Sequence, residues 1–121
     1  MDKQQAYYKL WSSFNIAAYD ENTVPDDAEF PRIDYQVITD SLDCPVFPIA
    51  KLWYRGTSWT AVDNKLKEIE DFIENMLPIE LDDGYMTVCQ GTPFAQRQTN
   101  EDDQTVKGYL LNLQIEFFTK N

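Results

Sequence analysis

Clustered carboxylates are the side chains in this sequence that could carry out acid–base chemistry. They form the groups Asp26/Asp27, Asp82/Asp83 and Glu101/Asp102/Asp103. Adjacent carboxylates can act as a general acid and a general base, or they can bind calcium. Each group lies beside turn residues, however, and the Asp-x-Asp-x-Asp-Gly spacing of a calcium loop does not occur. We therefore interpret the three groups as solvated acidic loops.

Other catalytic patterns lack a necessary residue type. The sequence has no histidine, which a Ser-His-Asp or Cys-His nucleophile requires. A zinc site would have only carboxylates and two distant cysteines, Cys44 and Cys89, without Cys-x-x-Cys spacing. The four glycines are scattered singly and form no phosphate-binding loop. We expect no catalysis, no metal and no cofactor, and we expect both thiols to be free and buried.

Two stretches instead favour contact with another protein. In "KLWYRG", Trp53 and Arg55 share one strand face, opposite Leu52 and Tyr54. Tryptophan and arginine are enriched where proteins meet. The alternative for Trp53 is that it covers a sheet edge within its own subunit.

The second stretch is the long polar connection from Gly91 to Thr105, which carries Phe94 and Arg97. A loop of this length is usually functional or mobile, so it suits either a docking arm or a flexible hairpin tip. The acidic run that contains Asp26 and Asp27 is a further candidate interface, because it is predicted to extend over the surface.

Length and charge limit the possible functions. A chain of 121 residues predicts a single domain over 1–121 with a substantial core. The net charge of −11 repels nucleic acid and anionic membranes. It suits a basic partner, a passage for DNA that must not stick, or solubility alone. No apolar run has the length of a membrane span or the pattern of a signal peptide, so we expect a cytoplasmic protein.

Hydrophobic periodicity predicts two helices. The first runs from about Asp2 to Ser13 with an aromatic face. The second begins near "TSWTAVD", with Ser58 or Thr60 as the N-cap and Thr60 with Asp63 approximating a capping box. It continues as one apolar stripe until Pro78 ends it.

Alternating patterns predict four strands. They are the stretch around Ile33, Tyr35 and Val37, then "IAKLWYR", "YMTVCQ" and "GYLLNLQIEFF". A turn at "SLDCP" would join the first two as an antiparallel hairpin, and the segment "AAYDENTVPDDAEFP" before them is predicted to be a loop. The expected fold is α+β in the order α-β-β-α-β-β, with one antiparallel four-stranded sheet and two helices packed on one face.

This order of elements resembles the tail terminator and tail-completion proteins of long-tailed bacteriophages. The resemblance rests on the strand entry "FPRIDYQV", the strand end "LWYRGTSW", the helix "NKLKEIEDFIENM", and "GTPFAQRQTNEDD" leading to "VKGYLLNLQIEF". Lys107 stands where the family pattern predicts arginine.

The resemblance implies a structural virion protein without catalysis or cofactor. Its subunits would form a ring, commonly a hexamer, at the head-proximal end of the tail tube. The ring would stop polymerisation of the tail-tube protein and offer a surface to the head connector. The protein would be assembled in the host cytoplasm. It would show no specific binding to nucleic acid, although DNA would pass through the ring.

Two alternatives remain. A head-completion or neck adaptor protein would occupy the same junction without ending the tube. An acidic inhibitor that imitates DNA and blocks a nucleic-acid enzyme belongs to a different class, suggested by the charge. Such mimics concentrate carboxylates along one regular face, whereas here they lie in separate loops.

Overall fold

A computed structural model describes residues 1–39 and 44–119. Two helices and six strands occur within these ranges. In chain order they are α1 (Lys3–Ser12), β1 (Ala17–Asp20), β2 (Arg32–Tyr35), β3 (Ile49–Arg55), α2 (Thr60–Asn75), β4 (Ile79–Leu81), β5 (Gly84–Thr99) and β6 (Val106–Thr119).

Helix α1 is confirmed with its aromatic face. The Asp2 side chain accepts a hydrogen bond from the backbone N–H of Gln5, and the Gln5 side chain accepts one from the backbone N–H of Asp2. This reciprocal arrangement is a capping box, which satisfies donors that a helix start leaves unpaired. Tyr7, Leu10 and Trp11 are buried, so the predicted stripe packs into the core.

The sheet differs from the predicted one. Within the described ranges it has six strands in the order β1-β2-β3-β6-β5-β4. The β1–β2 pair is parallel and the other pairs are antiparallel. The expectation of one antiparallel four-stranded sheet is therefore wrong, although the α+β class holds in part, and the mixed sheet forms a half-barrel.

Three segments account for the difference. Ala17–Asp20 and Ile79–Leu81 are edge strands of four and three residues, too short for alternation to mark them. Strand β5 continues to Thr99, well into the segment predicted as a loop. Its outer half is polar and is held as a strand by pairing with β6, so tertiary context decides its structure.

The start of α2 also differs in detail. Trp59 occupies the N-cap and makes no side-chain cap bond, while the Ser58 hydroxyl accepts a hydrogen bond from the Thr60 N–H at 3.1 Å. The predicted Thr60–Asp63 capping box is wrong, because the Asp63 carboxylate bonds to Tyr109 and Arg97 instead.

The core lies between the helices and one face of the sheet. Helix α1 contacts both edge strands, β1 and β4, while α2 contacts β3, β5 and β6. Alternate residues of β6 are buried from Tyr109 to Phe117, which confirms the predicted alternation. The β2–β3 hairpin is antiparallel as predicted, and its "SLDCP" turn lies partly outside the described residues. Cys44 and Cys89 are exposed, so their predicted burial is wrong.

Candidate protein-interaction site

The face of the sheet that points away from the core carries Trp53 and Arg55, as the alternation of β3 predicts. Trp53 is half-buried, and it pairs with Gly108 on β6 and with Arg32 on β2. Its indole lies across the backbone of Gly108. A Cβ atom on Gly108 would come within 2.5 Å of Trp53 Cε3 and 2.9 Å of Cζ3. The absence of a side chain at Gly108 therefore creates the space that the indole occupies.

Arg55 is held at the end of β3 by two partners. Its guanidinium carbon lies 4.9 Å from the centre of the Phe30 ring, and Nη2 lies 3.4 Å from Asp103 Oδ2. A cation over an aromatic face is attracted by the ring quadrupole. The side chain is nevertheless 58% exposed, so its charge is oriented and also accessible to a partner.

Arg32 lies against the same ring. Its guanidinium carbon is 4.8 Å from the centre of Phe30. Arg32 Nε donates to Asp34 Oδ1 at 3.1 Å, and Nη1 donates to the backbone carbonyl of Ala28 at 3.1 Å. Burial raises the pKa of Asp34, while the charges of Arg32 and Lys51 act in the opposite direction. Arg32, Lys51 and Arg55 thus place positive charge on this face of an acidic protein.

The outer half of β5, which was predicted as a docking arm, is bonded to α2 through Arg97. Arg97 Nε donates to the Tyr109 hydroxyl at 2.9 Å, and Nη2 donates to Asp63 Oδ2 at 3.1 Å. The Tyr109 hydroxyl donates to Asp63 Oδ1 at 2.5 Å. The Arg97 guanidinium also lies 4.2 Å from the centre of the Trp59 ring. These four side chains, which we call the Arg97 cluster, fix the outer half of β5 against the start of α2.

Burial and hydrogen bonds raise the pKa values of two members of the Arg97 cluster, Tyr109 and Arg97. Burial is the main reason that the pKa of Tyr109 is raised, and its hydrogen bond to Asp63 acts in the same direction. The hydrogen bond to Tyr109 is the main reason that the pKa of Arg97 is raised. A neutral phenol between an anion and a cation donates to the first and accepts from the second.

The turn between β5 and β6 is fastened as well. The Thr105 hydroxyl and backbone N–H both donate to Asp103 Oδ1, at 2.5 and 2.9 Å. These bonds, led by the one from the hydroxyl, lower the pKa of Asp103. Lys107 Nζ donates to the carbonyls of Gly56 and Gln104 at 3.0 and 2.7 Å. The hairpin tip is therefore tied to the end of β3.

Phe94 lies in a bulge of β5. Gln90 pairs with Leu113 and Ala95 pairs with Leu111, so only Asn112 lies opposite residues 91–94. Asn112 Nδ2 donates to the Pro93 carbonyl at 3.0 Å. Phe94 is partly buried and packs against the core. Bulges aim side chains in directions that regular strands do not allow, and here the bulge turns an aromatic ring towards the core.

Asp26 and Asp27 are exposed in the connection between β1 and β2. The same connection continues through Ala28 to Phe30, which contacts Arg55. The structure thus brings the acidic connection, Arg55 and the hairpin turn to one region. Arg97 lies on the helix-facing side of β5, as its pairing with the buried Tyr109 shows.

A second apolar surface was not predicted from the sequence. Leu77 is 82% exposed, and it lines one groove with the partly exposed ring of Phe72 and another with those of Tyr85 and Phe118. Two grooves of about 570 and 530 Å³ adjoin there, and both are lined by Leu77 and Pro78. We call this surface, formed by Phe72, Leu77, Pro78, Tyr85 and Phe118, the Leu77 patch.

Two sequence signals could have indicated the Leu77 patch. Phe72 and Ile73 are adjacent on a helix, so one of them must leave the centre of the buried stripe. Phe117 and Phe118 are adjacent on a strand, so they point to opposite faces of the sheet. In both pairs the structure buries one member and exposes the other.

Residues 1–39 and 44–119 contain neither a metal-binding cluster of side chains nor a membrane-spanning helix. No cluster of three or more His, Cys, Asp or Glu side chains occurs there that could hold a metal ion. None of the helices in this part of the chain is long and apolar enough to span a membrane. Comparisons with protein-family models, curated proteins and solved structures gave no match.

Proposed function

We propose that this protein is a structural subunit of a phage tail, a tail terminator that forms a ring at the head-proximal end of the tail tube. The resemblance in element order and in the motifs around "LWYRGTSW" and "GTPFAQRQTNEDD" supports this assignment. In this role the protein stops polymerisation of the tail-tube protein and presents a docking surface to the head connector.

The observation that carries the proposal is the setting of Arg55. The guanidinium contacts Phe30 and Asp103, yet more than half of the side chain is exposed. Ordering a long side chain before binding reduces the entropy lost when a partner docks. Arginine is also enriched among the residues that dominate binding energy. Arg55 therefore has the features of an interface residue.

Ring closure supplies a reason for the nearby charges. Subunits in a cyclic ring contact one another head to tail, through two different surfaces. The exposed side chains of Asp26, Asp27 and Arg55 lie in one region, so they would belong to one of these two surfaces and meet the other surface of a neighbouring subunit. Surfaces of opposite sign attract each other and disfavour wrong registers. We infer that these residues take part in contacts with neighbouring subunits.

The net charge suits the passage of DNA. At −11, the chain repels the phosphate backbone. A ring of such subunits would let DNA move through without holding it. Finding the lumen of an assembled ring lined with lysine and arginine would contradict this part of the proposal.

The proposal is tested by adding the purified protein to polymerising tail-tube protein of the same phage. Tube length and end structure are measured by electron microscopy over a series of protein-to-tube ratios. A terminator shortens the tubes with rising ratio and leaves a ring on one end. Binding to finished tails without any change in tube length would instead indicate a neck adaptor. No binding and no change in length at any ratio would contradict both roles.

A charge reversal at Arg55 makes the experiment specific. Arg55→Glu should lose ring formation and tube shortening, because it removes the oriented cation. Lys67→Glu is the matched control, since Lys67 is a lysine on α2 with a side chain that is 77% exposed. The control should shorten tubes as the wild type does. Equal behaviour of the two variants would remove Arg55 from the interface.

A further inference from the structure

The Leu77 patch has the size of a functional surface. Leu77 is 82% exposed, and Phe72, Tyr85 and Phe118 are 40%, 43% and 41% exposed. With aromatic side chains offering about 150–250 Å² each, these four residues leave roughly 400 Å² of apolar surface in water. The largest apolar patch on a monomeric protein is about 300–600 Å² and is often functional. The patch therefore lies in the size range in which an apolar surface is often functional.

Its shape favours a protein partner over a small molecule. Small-molecule sites are concave and surround their ligand. Here Leu77 and Pro78 form a ridge, with one groove between α1, α2 and β4 and the other beside Tyr85 and Phe118. A ridge beside a groove on one surface is complementary to a second copy of itself, turned by a twofold rotation.

The charge around the patch indicates which protein would dock there. Among the residues that the structure describes, Lys9 and Glu80 are the charged ones that line the larger groove, one of each sign, and no charged residue lines the smaller groove. A basic partner would be drawn to the acidic parts of a chain with a net charge of −11. Another copy of this chain is repelled by those parts. No net charge opposes its approach at the Leu77 patch, where the described lining residues carry one charge of each sign.

We propose that the Leu77 patch is a self-complementary contact between two copies of this chain. Leu77 of each copy enters the groove lined by Leu10, Phe72 and Met76 of the other. Two such patches would bury roughly 800 Å² of apolar surface, about half of the 1,600 Å² that a standard interface buries in total. Apolar surface makes up about two-thirds of a homodimer interface, so the patch supplies most of what a pair requires.

This contact differs from the one that closes a ring. A ring uses two different surfaces of each subunit, whereas a twofold contact uses the same surface twice. The inference thus goes beyond the proposed function and can fail without it. A variant that no longer pairs but still shortens tail tubes would separate the two.

Sedimentation velocity over a wide concentration range tests the contact. We expect the wild type to shift from one to two copies as concentration rises. Leu77→Asp should weaken pairing by about 1,000-fold, because one central contact is worth about 30-fold and the substitution occurs in both copies. Tyr8→Asp is the matched control, since Tyr8 is an apolar residue of α1 that is 55% exposed. It should pair as the wild type does.

Dilution of the wild-type protein, followed by NMR, gives a test that needs no variant. We expect the backbone signals around Leu77, Phe72 and Phe118 to move with concentration as one group. Signals that move only on other surfaces, while those around Leu77 stay fixed, would overturn the proposal. A wild type that stays monomeric throughout, or an equal loss of pairing in Tyr8→Asp, would overturn it as well.

Discussion

Replacing Gly108 with alanine should destabilise the protein through a steric clash. Gly108 lies on β6 opposite Trp53 on β3. An added Cβ would lie 2.5 Å from Trp53 Cε3, and it would lie even closer to the carbonyl oxygen of Leu52. Carbon atoms in ordinary contact are about 3.5–4.0 Å apart. The indole and the β3 backbone must therefore both move by about 1 Å.

The magnitude follows from which atoms can move. The Trp53 ring can tilt, but the Leu52 carbonyl belongs to the paired backbone of β3 and moves only with the strand. Overpacking of this kind costs about 1–3 kcal/mol. Alanine recovers about 0.5–1 kcal/mol that glycine costs in a strand. Since the backbone clash places the cost near the upper end of the first range, we expect Gly108→Ala to lower the free energy of unfolding by about 2 kcal/mol, or the melting temperature by about 8 °C.

Thermal and urea unfolding of the wild type and its variants would measure this effect. Gly56→Ala is the matched control, because a Cβ there meets nothing within 4 Å; its stability should change by less than about 0.5 kcal/mol. A double variant with Trp53→Ala should lose less than the two single changes combined, because the ring clash is then absent. If Gly108→Ala is as stable as Gly56→Ala, Trp53 does not lie across β6 and the reasoning is wrong.

Three other side chains give measurable effects. Burial raises the pKa of Tyr7 to about 12, against about 10 in an unfolded chain; the fold should therefore lose about 2 kcal/mol as pH rises from 10 to 12, a loss absent in Tyr7→Phe when both are unfolded in urea. Tyr109→Phe removes the hydroxyl that donates to Asp63 and should lower the free energy of unfolding by about 1.5 kcal/mol. In a double-mutant cycle with Asp63→Asn, the double variant should lose less stability than the two single variants combined. Free-energy changes that simply add would contradict the hydrogen bond between Tyr109 and Asp63. Asp2→Ala removes the cap of α1 and should cost about 1 kcal/mol in thermal unfolding, whereas Asp2→Asn should cost much less.

Periodicity predicted the elements that bury one face against the core. Helices α1 and α2 and strands β2, β3 and β6 each show a buried stripe or alternation. The edge strands β1 and β4 were missed because three or four residues carry no measurable period. Their strand conformation comes from pairing with a neighbour, which a local pattern does not record.

The contacts of the Arg97 cluster were not predicted from the sequence, for a different reason. The neighbours of each residue in sequence predict Asp63 in a helix cap and Arg97 in a docking arm or a flexible hairpin tip. Their actual partner is Tyr109, which lies 46 residues from Asp63 and 12 from Arg97. A sequence pattern identifies charged residues in turns and strands, but the pairing of β5 with β6 decides which of them meet.

These internal contacts affect which residues a ring would use. Arg97 bonds to two side chains, and Trp53 lies across Gly108, so removing either one would disturb the fold before it disturbed any interface. Asp26 and Asp27 are exposed, and Arg55 is exposed over more than half of its side chain. If neighbouring subunits attract each other through charge, reversing the charges of these exposed side chains should weaken the ring strongly while leaving the stability of the fold nearly unchanged.

The contact between ring subunits should also weaken as salt rises, because exposed charges are screened. Pairing at the Leu77 patch should instead strengthen in sulfate, which favours burial of apolar surface. Opposite responses to salt would therefore distinguish the two contacts in one protein.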